Sequence, residues 1–132
     1  MAPVAAGDAF TELQRREIDK AIDDAERVSG YQFSVYVGGV DGDARQRANA
    51  LHQQLARPAD SILVQVDPNS RTIEVVTGSR ASTSLDSRQA GLAVLTMQSA
   101  FSTGDLTRGV VEGLHQLAAL ARREAPLHTD TP

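Results

Sequence analysis

The chain has 132 residues, 41% hydrophobic and 23% charged, the balance of one ordinary globular domain. Aromatic residues make up only 4% and tryptophan is absent, so any core must be aliphatic. A formal net charge of −4 argues against a phosphate-neutralising nucleic-acid surface, and the absence of cysteine excludes disulfides, thiolate nucleophiles and Cys-ligated metal centres.

In chain order, residues 1–9 read as a flexible leader without the basic and apolar regions of a signal peptide. Thr11 followed by Gln14 has the spacing of a capping box. Leu13, Ile18, Ala21, Ile22, Ala25 and Val28 then mark one face of an amphipathic helix, stopped at Ser29-Gly30. Tyr31, Phe33, Val35 and Val37 alternate with Gln32, Ser34 and Tyr36, the period of two that predicts a strand. Asp43 caps a second helix carrying Ala44, Ala48, Leu51 and Leu55, which ends before Pro58.

Two apolar runs follow, Ile62–Val66 and Thr72–Thr77, joined by Asp67-Pro68-Asn69-Ser70-Arg71. Pro68 presets φ and Asn69 tolerates a turn, so this segment predicts a hairpin. Ser84 or Asp86 opens a third helix with Ala90, Val94, Met97 and Phe101 on one face. Asp105 opens a fourth, lined by Val110, Val111, Leu114, Leu117 and Ala121. The expected domain covers residues 10–123, and residues 124–132 read as a disordered tail. No apolar run reaches the ~18 residues of a membrane span, so the expectation is a cytoplasmic chain without an integral membrane segment.

This order predicts an α/β fold: a small mixed sheet, with a parallel pair and an antiparallel hairpin strand, covered by about four helices. It also predicts two polar rims. Gly38–Asp43, Asp67 and Arg71 share one sheet edge with, by extension, Asp105, while Asp60, Gly30, Tyr31 and Gly78 share the other.

The helix end Glu26-Arg27-Val28-Ser29-Gly30 and the strand after it resemble the opening of TPM domains. So do the Asp60 hairpin ending in Thr77-Gly78 and the later Met97, Phe101, Gly104-Asp105, Gly109 and Gly113. Over roughly residues 10–123 the chain most resembles the actinobacterial TPM-related family of unknown function, DUF5130. The resemblance implies a central sheet, and for some TPM members acid phosphatase activity or divalent-cation binding at acids near that sheet. In the usual TPM pattern Asp-Asn-Gly precedes the second strand. Here Asp60-Ser61-Ile62 keeps the carboxylate and replaces the other two, and Ser79–Ser84 stands where a glycine-rich stretch often follows.

Asp60 and Asp86 are the candidate metal ligands, since carboxylates converging in a loop-lined cleft hold Ca²⁺ or Mg²⁺ and hydroxyls at Ser61, Ser82 and Ser84 supplement them. The simpler reading makes Asp86 a helix cap and Asp60 a turn cap. Gly78, Arg80 and Arg88 form a candidate ligand or partner rim, in which the arginines either meet an anion or neutralise Asp60 and Asp86. Gly38–Asp43 lacks the spacing and lysine of a phosphate loop, and no GxSxG elbow exists. His52, His115 and His128 show no metal-ligand spacing. The leading expectation is a non-catalytic interaction or regulatory module that contacts a protein partner through a rim or a strand edge. The alternative is a divalent-metal-dependent, acid-phosphatase-like hydrolase at Asp60 and Asp86.

Overall fold

Four helices and a mixed sheet form the fold, in a computed structural model that describes residues 5–6 and 10–122. In chain order these are β1 (Ala5–Ala6), α1 (Glu12–Ser29), β2 (Gln32–Val37), α2 (Ala44–Gln53), β3 (Ser61–Asp67), β4 (Thr72–Thr77), α3 (Ser87–Ser102) and α4 (Leu106–Ala121). Single turns of 3₁₀ helix at Pro58–Asp60 and Ala81–Thr83 flank the hairpin. The sheet order is β1-β2-β3-β4, with β1 and β3 parallel to β2 and β4 antiparallel to β3. The parallel pair, the hairpin and the four helices are those the periodicities predict. The expected tail, 124–132, lies outside the described residues, while Ala5–Ala6 adds a short strand beside Tyr36 and Val37 within the expected leader.

Alternation along the strands builds two layers of packing. Phe33, Val35, Val37, Ile62, Val64, Val66, Ile73 and Val75 face the main core, where Ile18 and Ile22 of α1, Met97 of α3, and Leu114 and Leu117 of α4 meet them. Burying such side chains contributes about 1.5–3 kcal/mol each relative to leaving them in water. Leu63 and Val76 point the other way, onto Ala48 of α2 with Tyr36, Leu51 and Leu55 around them. Gln65 lies on that second face, buried, and its Nε2 donates to the Ala44 carbonyl at 2.9 Å, tethering the first turn of α2 to β3. Leu13 and Val28, expected on the apolar face of α1, are 68% and 48% exposed, because the inward stripe is the one through Ile18, Ala21, Ile22, Ala25 and Ser29 and helical phase turns both residues away from it.

Local chemistry explains the segments that carry the resemblance. Thr11 and Gln14 close a capping box on α1. At the other end Gly30 takes φ 81°, a left-handed conformation that glycine adopts without a Cβ clash, and its N–H donates to Glu26 O at 2.9 Å. The Glu26 carboxylate continues on to the Phe33 N–H at 3.0 Å, covering the β2 edge where β1 does not reach. Gly109 and Gly113 let α4 approach α3 closely, since a Cβ on either would run into Phe101 or Met97.

Hairpin closure rests on Asp67, which is buried and accepts from Val40 N–H at 3.1 Å and Asn69 N–H at 3.0 Å. It thereby ties the β2–α2 loop to the β3–β4 turn. The left-handed position of that turn is Arg71, φ 58°. Burial raises the Asp67 carboxyl pKa, but hydrogen bonds from Val40, the Ser70 side chain and the Asn69 and Ser70 amides outweigh it, leaving the pKa below its ordinary value.

At its far end β4 exits through Gly78, whose N–H donates to Ser61 O at 2.9 Å. A Cβ on Gly78 would overlap the Pro58 carbonyl oxygen and lie 2.5 Å from that of Ala59. Both of those oxygens are backbone and cannot rotate away.

Two outcomes follow for stability. Gly78→Ala is expected to cost about 1–3 kcal/mol in urea unfolding, whereas Gly39→Ala, with open space at its Cβ position, should change stability by less than about 0.5 kcal/mol. A carboxyl with a lowered folded-state pKa adds stability above its unfolded pKa of about 3.9, lost as pH falls through the folded value. Unfolding measured as a function of pH should therefore show a loss below about pH 4 that is shallower in Asp67→Asn, which is also less stable than wild type at neutral pH.

Candidate functional site

The two rims expected from the strand order both form, and their polar groups serve different ends. At the first rim, the 3₁₀ turn Pro58–Asp60 delivers Asp60 to the start of β3, where it is buried. Its Oδ2 lies 3.5 Å from Arg80 Nη1 and 3.6 Å from Arg57 Nη2, both on guanidiniums that are largely exposed. The Arg80 pairing is the neutralising one the sequence allowed for. Arg57 was missed, because only the 3₁₀ turn brings it back over a residue three positions on. Asp86 is the N-cap of α3: its Oδ1 accepts from Gln89 N–H at 2.8 Å, and Gln89 returns the bond to Asp86 N–H. Arg88 is exposed on the first turn of the same helix.

The hydroxyls expected to supplement a metal site have local partners. Ser61 Oγ donates to Arg57 O at 2.6 Å, Ser82 Oγ to Ser79 O at 3.0 Å, and Ser84 Oγ lies 2.8 Å from Tyr31 Oη. Among the described residues, no group of three or more histidines and acids is placed to hold a metal ion. His52, which the sequence offered only as a lone helical histidine, is buried at the end of α2 with Nε2 2.9 Å from Ser61 O. A carbonyl only accepts, so Nε2 carries the proton, and the ring pins α2 to the first residue of β3. The signal for its burial is its place four residues after Ala48, on the side of α2 that packs against the sheet.

The opposite rim is built of caps. Asp43 accepts from Gln46 N–H at 3.0 Å and opens α2, and Asp105 accepts from Arg108 N–H at 3.0 Å and opens α4. With Asp67 holding Val40, these acids set chain direction, as the helix-cap reading of the loop expected.

The feature with unspent binding capacity is the outer edge of β4. Ser61 and Gly78 form a hydrogen-bonded pair in the β3–β4 ladder, so Leu63–Val76, Gln65–Glu74 and Asp67–Thr72 do as well. The N–H and C=O groups of Ile73, Val75 and Thr77 therefore point away from β3. Arg45 Nη1 donates to the outward Val75 carbonyl at 2.8 Å and pairs with Glu74 at 3.3 Å. Beside this edge, on the α3 side, a narrow depression of about 170 Å³ has small walls at Ser87, Ala90 and Gly91. On the α2 side, an open depression of about 530 Å³ carries Asn49, His52 and Gln53 beside Gly78. Thr77 borders both.

Comparison with known proteins places this geometry in context. Over 102 residues the chain is 30% identical to two uncharacterized proteins of Mycobacterium tuberculosis, MT2543 from strain CDC 1551 and Rv2468c from strain H37Rv. The match takes in 77% of this chain and 61% of those relatives, so the chain spans less than two thirds of their length. The fold is similar to the NMR structure of BA42 from Bizionia argentinensis, with a TM-score of 0.78 at 18% identity, covering 86% of this chain and 82% of that one. It is also similar to the N-terminal domain of cg2496 from Corynebacterium glutamicum, with a TM-score of 0.76 at 15% identity, covering 97% and 90%. At such identities the likeness concerns the fold alone. The model of DUF5130, a domain of unknown function, matches residues 3–118, and the chain belongs to that family.

Proposed function

We propose that this domain is a non-catalytic interaction module that takes an extended segment of a partner protein along the outer edge of β4. The observation that carries this reading is a strand edge with outward backbone groups at Ile73, Val75 and Thr77, lying between depressions on its two sides. An added strand gains affinity from main-chain hydrogen bonds and specificity from pockets for alternate side chains. Side chains directed toward α3 would have to be small, since the depression there holds only about 170 Å³ even with Ala90 and Gly91 in its wall. Those directed toward α2 would meet the amides of Asn49 and Gln53. Arg45 guards the edge, as charged side chains often do on exposed strands, and must swing aside for the segment to dock.

The rival, a Ca²⁺- or Mg²⁺-dependent phosphatase-like hydrolase, has no comparable support. It requires Asp60 to leave two guanidiniums and Asp86 to leave a helix cap. The guanidiniums would also repel the metal.

Peptides selected from a displayed random library should shift the amide resonances of Ile73, Val75 and Thr77. Gly91→Leu, which fills the shallow depression from an exposed helical position, should weaken binding roughly tenfold or more, and Arg45→Ala should strengthen it. Selected peptides that shift other residues, or that ignore both substitutions, would sink the proposal. The hydrolase reading is tested separately by titrating Ca²⁺ and Mg²⁺ while following thermal melting and the amides near Asp60 and Asp86. No rise in melting temperature is expected at millimolar metal, whereas a rise abolished by Asp60→Ala would favour the hydrolase.

A further inference from the structure

The exposed side of α3 has a composition unlike the rest of the surface. From Gln89 to Gly104 the chain carries no charged residue, whereas α1 carries ten in its 18 residues. Gly91, Leu92, Leu95, Gln98, Ser99 and Ser102 lie on the exposed side, at spacings of one, three and four that form one helical stripe. Leu92 is 49% and Leu95 62% exposed, and the two are adjacent on that stripe. Next to it, between α3 and α4, runs a groove of about 490 Å³ lined by Leu95, Thr96, Ser99, Ala100 and Thr103, with the Arg108–Glu112 ion pair at its lip.

We infer that this face pairs with the same face of a second copy of the chain, α3 against α3, antiparallel about a twofold axis near Leu95. In such an interface each residue meets its symmetry mate's counterpart, so a charge near the axis would meet its own kind. The uncharged stripe removes that repulsion from a protein of net charge −4. The sequence is also self-complementary in size. With the axis between Leu95 and Thr96, Leu92 falls opposite Ser99, Leu95 opposite Thr96 and Arg88 opposite Thr103, so that a large residue faces a small one. At the ends, Arg88 of one copy approaches the exposed Asp105 of the other, two residues past Thr103. The flanks thus attract where the centre is neutral.

Sedimentation equilibrium over about a hundredfold range of protein concentration should show reversible association toward twice the chain mass. Leu95→Glu should weaken that association by roughly tenfold or more while leaving circular dichroism and urea unfolding unchanged, because the side chain is exposed. As the chain has no cysteine, Leu95→Cys offers a second readout. Under mild oxidation it should form a disulfide-linked dimer, while Asp41→Cys, on an exposed loop, should not. A monomer at every concentration, or a dimer indifferent to Leu95→Glu, would overturn the inference. So would a monomer that binds neutral phosphatidylcholine vesicles through this face, since lipid would then be the occupant. Leu95→Glu leaves the edge of β4 and Arg45 intact, so peptide capture there is read independently.

Discussion

The hydrogen bond from Gly78 N–H to the Ser61 carbonyl sets the parity of the β3–β4 ladder, and most of the molecule depends on that parity. With Ser61 opposite Gly78, Ile62, Val64 and Val66 face the helices of the main core while Leu63 and Gln65 face α2. A slip of one residue would reverse every one of these and drive Gln65 into an aliphatic layer. At that point Gly78 lies against the carbonyls of Pro58 and Ala59, an approach only a residue without a Cβ can make. The same contact holds the Pro58–Asp60 turn in place, and with it Asp60, Arg57 and Arg80. One close backbone approach thereby fixes the core, the first rim and the outward-facing groups of β4.

Regular elements were legible in the sequence because each is dictated within a few residues. The α1 and α3 caps lie in Thr11–Gln14 and Asp86–Gln89, and the hairpin strands Ile62–Val66 and Thr72–Thr77 are recovered to within a residue. The periodicity of β2 and the end of α1 at Gly30 are equally local. The topology followed from them, since strands joined through a helix are parallel and strands joined by a hairpin are not.

The site was less legible, for a physical reason. That Asp60 and Gly78 share a rim is a matter of strand direction, which sequence order supplies. What Asp60 does there depends on Arg57 and Arg80, brought together by the 3₁₀ turn and the exit of β4, and neither placement has a periodic signature. His52 is the same case. Helical spacing places it on α2, but its burial depends on the first residue of β3 passing beneath it. The positive φ of Arg71 likewise reflects a four-residue loop whose first residues are already held by Asp67.

The acids that invite a catalytic reading have mostly structural work. Asp43, Asp86 and Asp105 open helices, Asp67 closes a loop onto a turn, and Glu26 covers the β2 edge. Catalysis needs polar groups held in place with capacity left for a reacting atom. Asp43, Asp67, Asp86 and Asp105 are instead bonded to nearby backbone amides, and Asp60 is paired with arginines. The two sheet edges make the useful contrast. Glu26, reaching from α1 to the Phe33 amide, sits between packed elements and closes its edge. Arg45, reaching from α2 to the Val75 carbonyl, is 54% exposed at its side chain and can be replaced there by another donor from solvent or from a second chain. An edge guarded by an exposed, rotatable cation is protected against indiscriminate pairing yet remains open to a segment whose own hydrogen bonds and fitted side chains outcompete a single guanidinium.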